Sequence, residues 1–443
     1  MSGLGRRHAL RRALRRAAAS RLTAAALAAA LAGLAAAGCI RAGGPAGGGV
    51  PGAPGATPAP SAGPPIRVGL AVGASAVTIG GGGALRLQAT DAGLMDALAA
   101  GTTLRVLPAA RGLALAAGPG GVTTQVEQVT VVPRDADGTV RVNGRDYAGE
   151  VTLLRDRTGV TAVNRVALER YLVGVVAGEM GRRDPVAERE ALRAQAVVSR
   201  TYALRNMGRW AAQGFDLYAG VADQVYGGVT AEYPAAADAV QATRGQAVTW
   251  GGQPIDAFFF STCGGRTAEG TEVFRGAARP YLRSVSDVGP DGAWCRISPR
   301  FRWTEEWSGA QLNATLQRTL PAVAGVRADG VGEVRDLRVT LRTGSGRVGE
   351  LAARVRTGEV RVDGPQVRSA LQTVTGEPLR SNLFTLAVTG APRRITQVVA
   401  EGSGAGHGVG MCQWGAVGRA RAGQRYDEIL AAYYPTTTLD RLY

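Results

Sequence analysis

The periodicity of the chain predicts an α+β fold, with a β-rich N-terminal region followed by a mixed domain whose two central helices pack on β-structure. Three observations carry that expectation. Short β-favouring runs recur between turn signals from Ile66 to about Val160, apolar residues then shift to helical spacing, and strand-like runs return toward the C-terminus.

The elements follow in order. IRVGLAV, AVTI, ALRLQAT, TTLRVL, TQVEQVTVV, TVRVNGRDY and EVTLLRD alternate apolar with polar residues, so residues 66–145 are expected to form a small β-rich domain and residues 146–443 the mixed one. VALERYLVGVVAGEM and PVAEREALRAQAVVSRTYALRNMGRW read as helix, short loop, helix, with Pro185 suited to the first turn of the second. QAVTW, PIDAFFFST, RSVSD, EVRDLRVTL, RVGELAARV and LFTLAVT read as later strands. No repeat of fixed period and no heptad pattern is present.

The N-terminus directs the chain outward. Residues 1–38 read as an export signal, an Arg-rich start followed by an apolar run from Leu22 to Ala37 that is too short and Ala-rich for a membrane span. Gly38-Cys39 closes that run like a lipobox, in which Cys39 is lipidated and becomes the new N-terminus, although Ala36 stands where Leu is favoured. The alternative is plain secretion with an incidental cysteine. Residues 39–65, rich in Gly, Pro and Ala, read as a flexible tether. An exported envelope protein is expected, touching the membrane only through a lipid anchor.

A chain of 443 residues, 45% hydrophobic, has room for two to three domains. Its 51 basic residues are all Arg and outnumber 35 acidic ones, and the seven between Arg6 and Arg21 leave with the signal, lowering the excess from +16 to +9. That excess suits anionic cell-wall polymers as well as merely solvated Arg-rich faces. No basic run is interleaved with aromatics, so a nucleic-acid partner is not expected.

Six blocks occur in order: VNRVALERYLVGVVAGEM at 163–180, EALRAQAVVSRTYAL at 190–204, ADQVYGG at 222–228, AFFFSTCGGRT at 257–267, PYLRSVSD at 280–287, and GHGVGMCQWGAVGRARAGQRYDEILAAYYPTTTL at 406–439. From about Tyr147 to the C-terminus the chain resembles the stage II sporulation protein D (SpoIID/LytB) family. The resemblance implies lytic transglycosylase cleavage of peptidoglycan glycan strands, preferably those stripped of peptides by an N-acetylmuramoyl-L-alanine amidase. It also implies the other role attached to the family, an amidase enhancer that holds strands without cutting them.

Glu179 matches the family's catalytic glutamate. The chemistry needs a carboxyl protonated while the glycosidic oxygen leaves, hence a pKa lifted by apolar neighbours such as Val175, Val176 and Met180. Taken without the surrounding blocks, a glutamate at a helix end is more often structural. Glu188 and Glu190 fall in the first turns of the second helix, where negative charge is expected.

On that helix Gln195, Ser199 and Tyr202 share one face with Arg200 beside it, either lining a sugar groove or fixing the core. Ser261 and Gly264 belong to a turn whose glycines permit close approach of a ligand. Cys263 and Cys295 form a disulfide candidate in an exported protein. Zinc bound by Cys and His near this turn occurs in some relatives, but Phe260 precedes Ser261 here and His8 and His407 are the only histidines, so no metal and no cofactor is expected. His407 shapes the groove or orients Glu179, or else is a buried histidine satisfied by backbone; Gln413 and Trp414 offer hydrogen bonds and a ring to a sugar. A Cys412–His407 nucleophilic pair is a weaker candidate, with no oxyanion motif beside it.

Overall fold

The structure is a computed structural model that describes residues 62–90, 93–117, 123–274, 276 and 278–443. The segment read as an export signal, Cys39 and most of the residues read as a tether lie outside the described residues. The fold is α+β.

Alternation of small apolar and polar residues produces strands where expected, and they assemble into two sheets. One runs in the order Leu217–Tyr218, Pro65–Ala74, Val160–Ala167, Glu150–Arg155, Gln128–Pro133, Leu85–Ala89, Gly93–Leu98. The other contains Arg145–Ala148, Thr139–Val142, Val77–Gly80, Leu104–Pro108, Leu113–Ala117 and Thr123–Val126. Inward residues of both, among them Val77, Ile79, Leu87, Val106 and Leu115, are fully buried in one cluster that continues without a break into the helices.

Helix α1 (Leu168–Met180) leaves the strand Val160–Ala167 directly. Its first N–H groups, which no helical carbonyl can reach, donate to the carbonyls of Ala62 and Pro64. Leu168, Tyr171, Leu172, Val175 and Val176 are fully buried, each contributing roughly 1.5–3 kcal/mol. Helix α2 (Arg189–Asn206) packs on α1 and is covered by the helices Pro234–Ala242, Gln413–Arg421 and Tyr426–Tyr433 and by the strand Gln246–Trp250. Pro185 lies in the turn before α2 instead of in its first turn, and Glu188 takes the N-cap position, where it is buried against Arg421.

Residues 303–400 build a separate core. Strands Arg302–Ser308, Arg394–Ser403 and Phe384–Ala391 form one sheet and Asp336–Arg342, Val348–Val355 and Gly358–Asp363 another, with the helix Gly309–Ala324 between them. That helix falls where no helix is expected from the sequence. It begins with a capping box between Ser308 and Gln311 and buries Leu312, Leu316 and Leu320 at a spacing of four. The chain then returns to the first core, where Thr438–Arg441 pairs with Gln246–Trp250. RSVSD is not a strand but an irregular segment bridged at Ser286 to Arg266, and PIDAFFFST contributes only the two-residue strands Gln253–Pro254 and Phe259–Phe260, the first of which begins one residue before that run.

Candidate functional site

Glu179 sits in the last turn of α1, half-buried at a cleft of about 710 Å³. What places it there is a pair of glycines. Gly174 and Gly178 lie one turn apart on α1, and a Cβ on Gly178 would stand 2.5 Å from the carbonyl oxygen of Val225, one on Gly174 2.8 Å from the Tyr226 ring. The segment Gln224–Gly228 therefore lies flush on the helix, and the Val225 N–H donates to Glu179 Oε1 at 2.7 Å. Gln413 Nε2 approaches Oε2 at 3.3 Å from the opposite wall. Burial raises the Glu179 pKa above the ordinary carboxylate value, against the two hydrogen bonds, which lower it.

Of the sequence-predicted residues, Tyr202, Ser261, His407 and Gln413 line this cleft with Glu179. Gln195 and Ser199 do not; both are fully buried, joined by a 3.0 Å bond from Gln195 Nε2 to Ser199 Oγ. Gln195 Oε1 accepts from Gln413 Nε2 at 3.4 Å, so the polar stripe of α2 reaches Glu179 through Gln413. Arg200 is buried in a bidentate pair with Glu169, at 2.7 and 2.8 Å, and also donates to the carbonyls of Val240 and Gln246. It serves the core and not the cleft. Gly264 packs toward Ser403 and Leu383, away from the cleft lining.

His407 takes the backbone-satisfied arrangement. Its Nε2 lies 2.8 Å from the Phe259 carbonyl, which can only accept, so Nε2 carries the hydrogen and Nδ1 accepts from the Val409 N–H. Burial pushes its pKa down to about 4. With both nitrogens engaged by backbone, it orients neither Glu179 nor the Cys412 sulfur; it shapes the wall together with Phe258, Phe260 and Phe274.

The cleft also holds residues that the sequence reading did not assign. Arg183 stacks over the Trp414 ring at 4.3 Å, and its buried Nε has no partner. Arg300 stands at the rim. Asp223 is the second carboxylate of the lining, but Tyr202, Arg209, Trp210 and the Tyr218 N–H all bond to it and its side chain is fully buried.

Behind the cleft, Cys263 and Cys295 face each other with sulfurs 3.5 Å apart and unbonded. Cys412 and Asp287 join them in one buried cluster. Hydrogen bonding from the other two thiols and from the Gly264 and Gly265 N–H groups holds the Cys295 thiol well below the usual range, whereas burial pushes Cys263 and Cys412 up.

The fold and site thus define an α+β protein with one helix-borne carboxylate of raised pKa, held by a backbone N–H and a glutamine, in an aromatic- and arginine-lined cleft. The stage II sporulation protein family (SpoIID) matches residues 156–250, and a domain of unknown function (DUF8618) matches residues 292–410, which cover the second core. Stage II sporulation protein D of Bacillus subtilis is 31% identical over 311 residues, spanning 66% of this chain and 80% of that protein. An uncharacterized protein of Brachyspira hyodysenteriae is 31% identical over 298 residues, 66% and 72% of the two chains. The amidase enhancer of Bacillus subtilis is 29% identical over 300 residues, 60% of this chain and 40% of the enhancer. The chain belongs to the SpoIID family. Among the described residues no helix is long and apolar enough to cross a membrane.

Proposed function

We propose that the protein is a peptidoglycan lytic transglycosylase of the cell envelope, with Glu179 as its general acid and base. The observation that carries this reading is a single available carboxylate in the cleft: the Glu179 pKa is raised and its side chain reaches the cleft, whereas Asp223 is saturated by four partners. Hydrolysis by paired carboxylates needs a second free group about 5–9 Å from the first, to act as nucleophile or to activate water. Intramolecular attack needs none.

Glu179, protonated, gives its proton to the glycosidic oxygen as the bond to the anomeric carbon breaks. The resulting carboxylate takes the proton of the muramic 6-hydroxyl as that oxygen closes on the same carbon, which restores the acid. The Val225 N–H and Gln413 stabilise the carboxylate between the two transfers. Trp414 offers a sugar-stacking face, and Arg183 and Arg300 offer charge to the lactyl carboxylate that an amidase uncovers when it strips the peptide. Export and lipidation at Cys39 belong to the same reading and are tested by mass spectrometry of the mature N-terminus.

Incubation with peptide-free glycan strands is expected to release chains ending in 1,6-anhydro-muramic acid, and Glu179→Gln to release none. The amidase enhancer among the relatives supports a second reading, in which the cleft holds strands for a partner amidase. Strand binding and amidase stimulation that persist unchanged in Glu179→Gln, with no anhydro product from either protein, would establish that reading instead.

A further inference from the structure

The cluster behind the cleft has spacings that a disulfide does not explain and a tetrahedral metal site does. Sγ of Cys263 lies 3.5 Å from Sγ of Cys295 and 3.1 Å from Oδ2 of Asp287, and one donor atom from each of Cys263, Asp287, Cys295 and Cys412 falls within 4.8 Å of all the others. Four donors bound at about 2.0–2.3 Å to a tetrahedral zinc ion stand roughly 3.3–3.8 Å apart along the edges of that tetrahedron. A disulfide would draw two sulfurs to about 2.05 Å and leave the third thiol and the carboxylate without a role.

The surroundings are arranged for negative sulfur. The Cys263 N–H donates to Cys412 Sγ at 3.1 Å, the Gly415 N–H to the same sulfur at 3.2 Å, and the Gly265 N–H back to Cys263 Sγ at 3.3 Å. Gly264 and Gly265, at φ +78° and +107°, supply the left-handed turn that aims these groups. Thiolates accept such bonds far better than neutral thiols or disulfide sulfurs do.

Charge and orientation agree. Asp287 Oδ1 is held by Tyr433 Oη at 2.7 Å and Arg419 Nε at 3.1 Å, leaving Oδ2 turned to the sulfurs. Buried Arg347 donates to the Cys263 carbonyl at 3.2 Å. Three thiolates and a carboxylate against a dication and two guanidiniums sum to zero, as one thiolate and the carboxylate do against the guanidiniums alone, so the pocket accepts a dication bound with loss of two thiol protons.

We propose that Cys263, Asp287, Cys295 and Cys412 bind one zinc ion in a closed structural site. Four protein ligands leave no open position, so the ion has no part in bond cleavage. No histidine enters it, which separates it from the Cys and His set of some relatives; His407 faces the Phe259 carbonyl. Its role is mechanical. Cys412 immediately precedes Gln413, and Cys263 lies two residues after Ser261, so the ion would fix both walls that meet Glu179.

The test needs no activity. Full-length protein purified with thiols kept reduced is expected to retain one zinc per chain by elemental analysis after dialysis, and cobalt exchanged into it should give the charge-transfer band of a cobalt–thiolate. Cys412→Ser and the isosteric Asp287→Asn should weaken zinc by about 10- to 100-fold or more, while Cys39→Ser binds as wild type. Wild-type protein that takes up neither zinc nor cobalt overturns the proposal. So does protein freshly isolated without reductant whose mass is lower by a pair of hydrogens, with Cys263 and Cys295 linked in its peptides. Because metal content is read directly, either result leaves the question of glycan cleavage untouched.

Discussion

The Val225 N–H reaches Glu179 across 2.7 Å because α1 has no side chain at Gly178 to hold the Gln224–Gly228 segment away. The Glu179 carboxylate is thus placed by backbone and by missing atoms as much as by its own neighbours.

Gly178→Ala tests that placement. A Cβ 2.5 Å from the Val225 carbonyl forces the segment outward, with an expected stability loss of about 1–3 kcal/mol by urea denaturation. Glycan cleavage should fall by about a hundredfold, since small misplacements at a reacting group cost that much.

Gln413→Ala removes a hydrogen bond that lowers the Glu179 pKa. The carboxyl then stays protonated to higher pH, so the alkaline limb of the pH–rate profile should move upward while the maximal rate declines. Gln195→Ala, acting only through Gln413, should move the limb in the same direction by less. An unmoved limb in both variants would show that Gln413 does not tune the acid.

Glu179→Gln should unfold at the same temperature as wild type at neutral pH, or at a higher one. The Glu179 pKa is raised in the folded state, so this group contributes stability below its unfolded pKa and loses it as pH rises through the folded value. At neutral pH the ionised side chain works against folding, and the neutral amide does not. Thermal melts at acid and neutral pH check the sign.

His407 gives the opposite limb. Its pKa falls from 6.5 to about 4 on folding, so the unfolded chain binds more protons between those values. Stability should be full above about pH 6.5 and decline toward pH 4 by roughly 2–3 kcal/mol. The same titration of His407→Gln should be flatter over that interval.

Arg200→Met should destabilise by about 3–5 kcal/mol, because it strands the buried Glu169 carboxylate. The folded fraction should cleave strands at the wild-type rate, since Arg200 does not line the cleft. A selective rise in KM with unchanged stability would restore it to the sugar groove.

The α+β class and most strands before Val160 were legible because alternation there is regular. The helix Gly309–Ala324 was not, since Thr315, Thr319 and Pro321 dilute its apolar stripe, although Ser308 and Gln311 announce its start. Glu179 was legible only through the blocks around it. The polar face of α2 was visible, yet a sequence cannot say that elements from distant parts of the chain cover that helix and enclose Gln195 and Ser199. The sulfur cluster was hidden by separation: Cys412 lies 149 residues from Cys263, and the nearest histidine drew it into a different pairing. The glycines at 174 and 178 were the readable sign of a close approach, one helical turn apart beside the catalytic candidate.

The second core leaves and re-enters the fold at a single point, since Arg302 and Ser403 are paired across adjacent antiparallel strands. The path of the rest of the chain is therefore independent of the module, although its packing is not, since Arg347 and Ser345 of the module bond to the Cys263 carbonyl and to Glu272. Cys295 and Cys412 stand on either side of that seam, within reach of each other. Whatever joins them closes the seam at the same turn that Arg347 of the second core holds from the other side, through the Cys263 and Arg266 carbonyls.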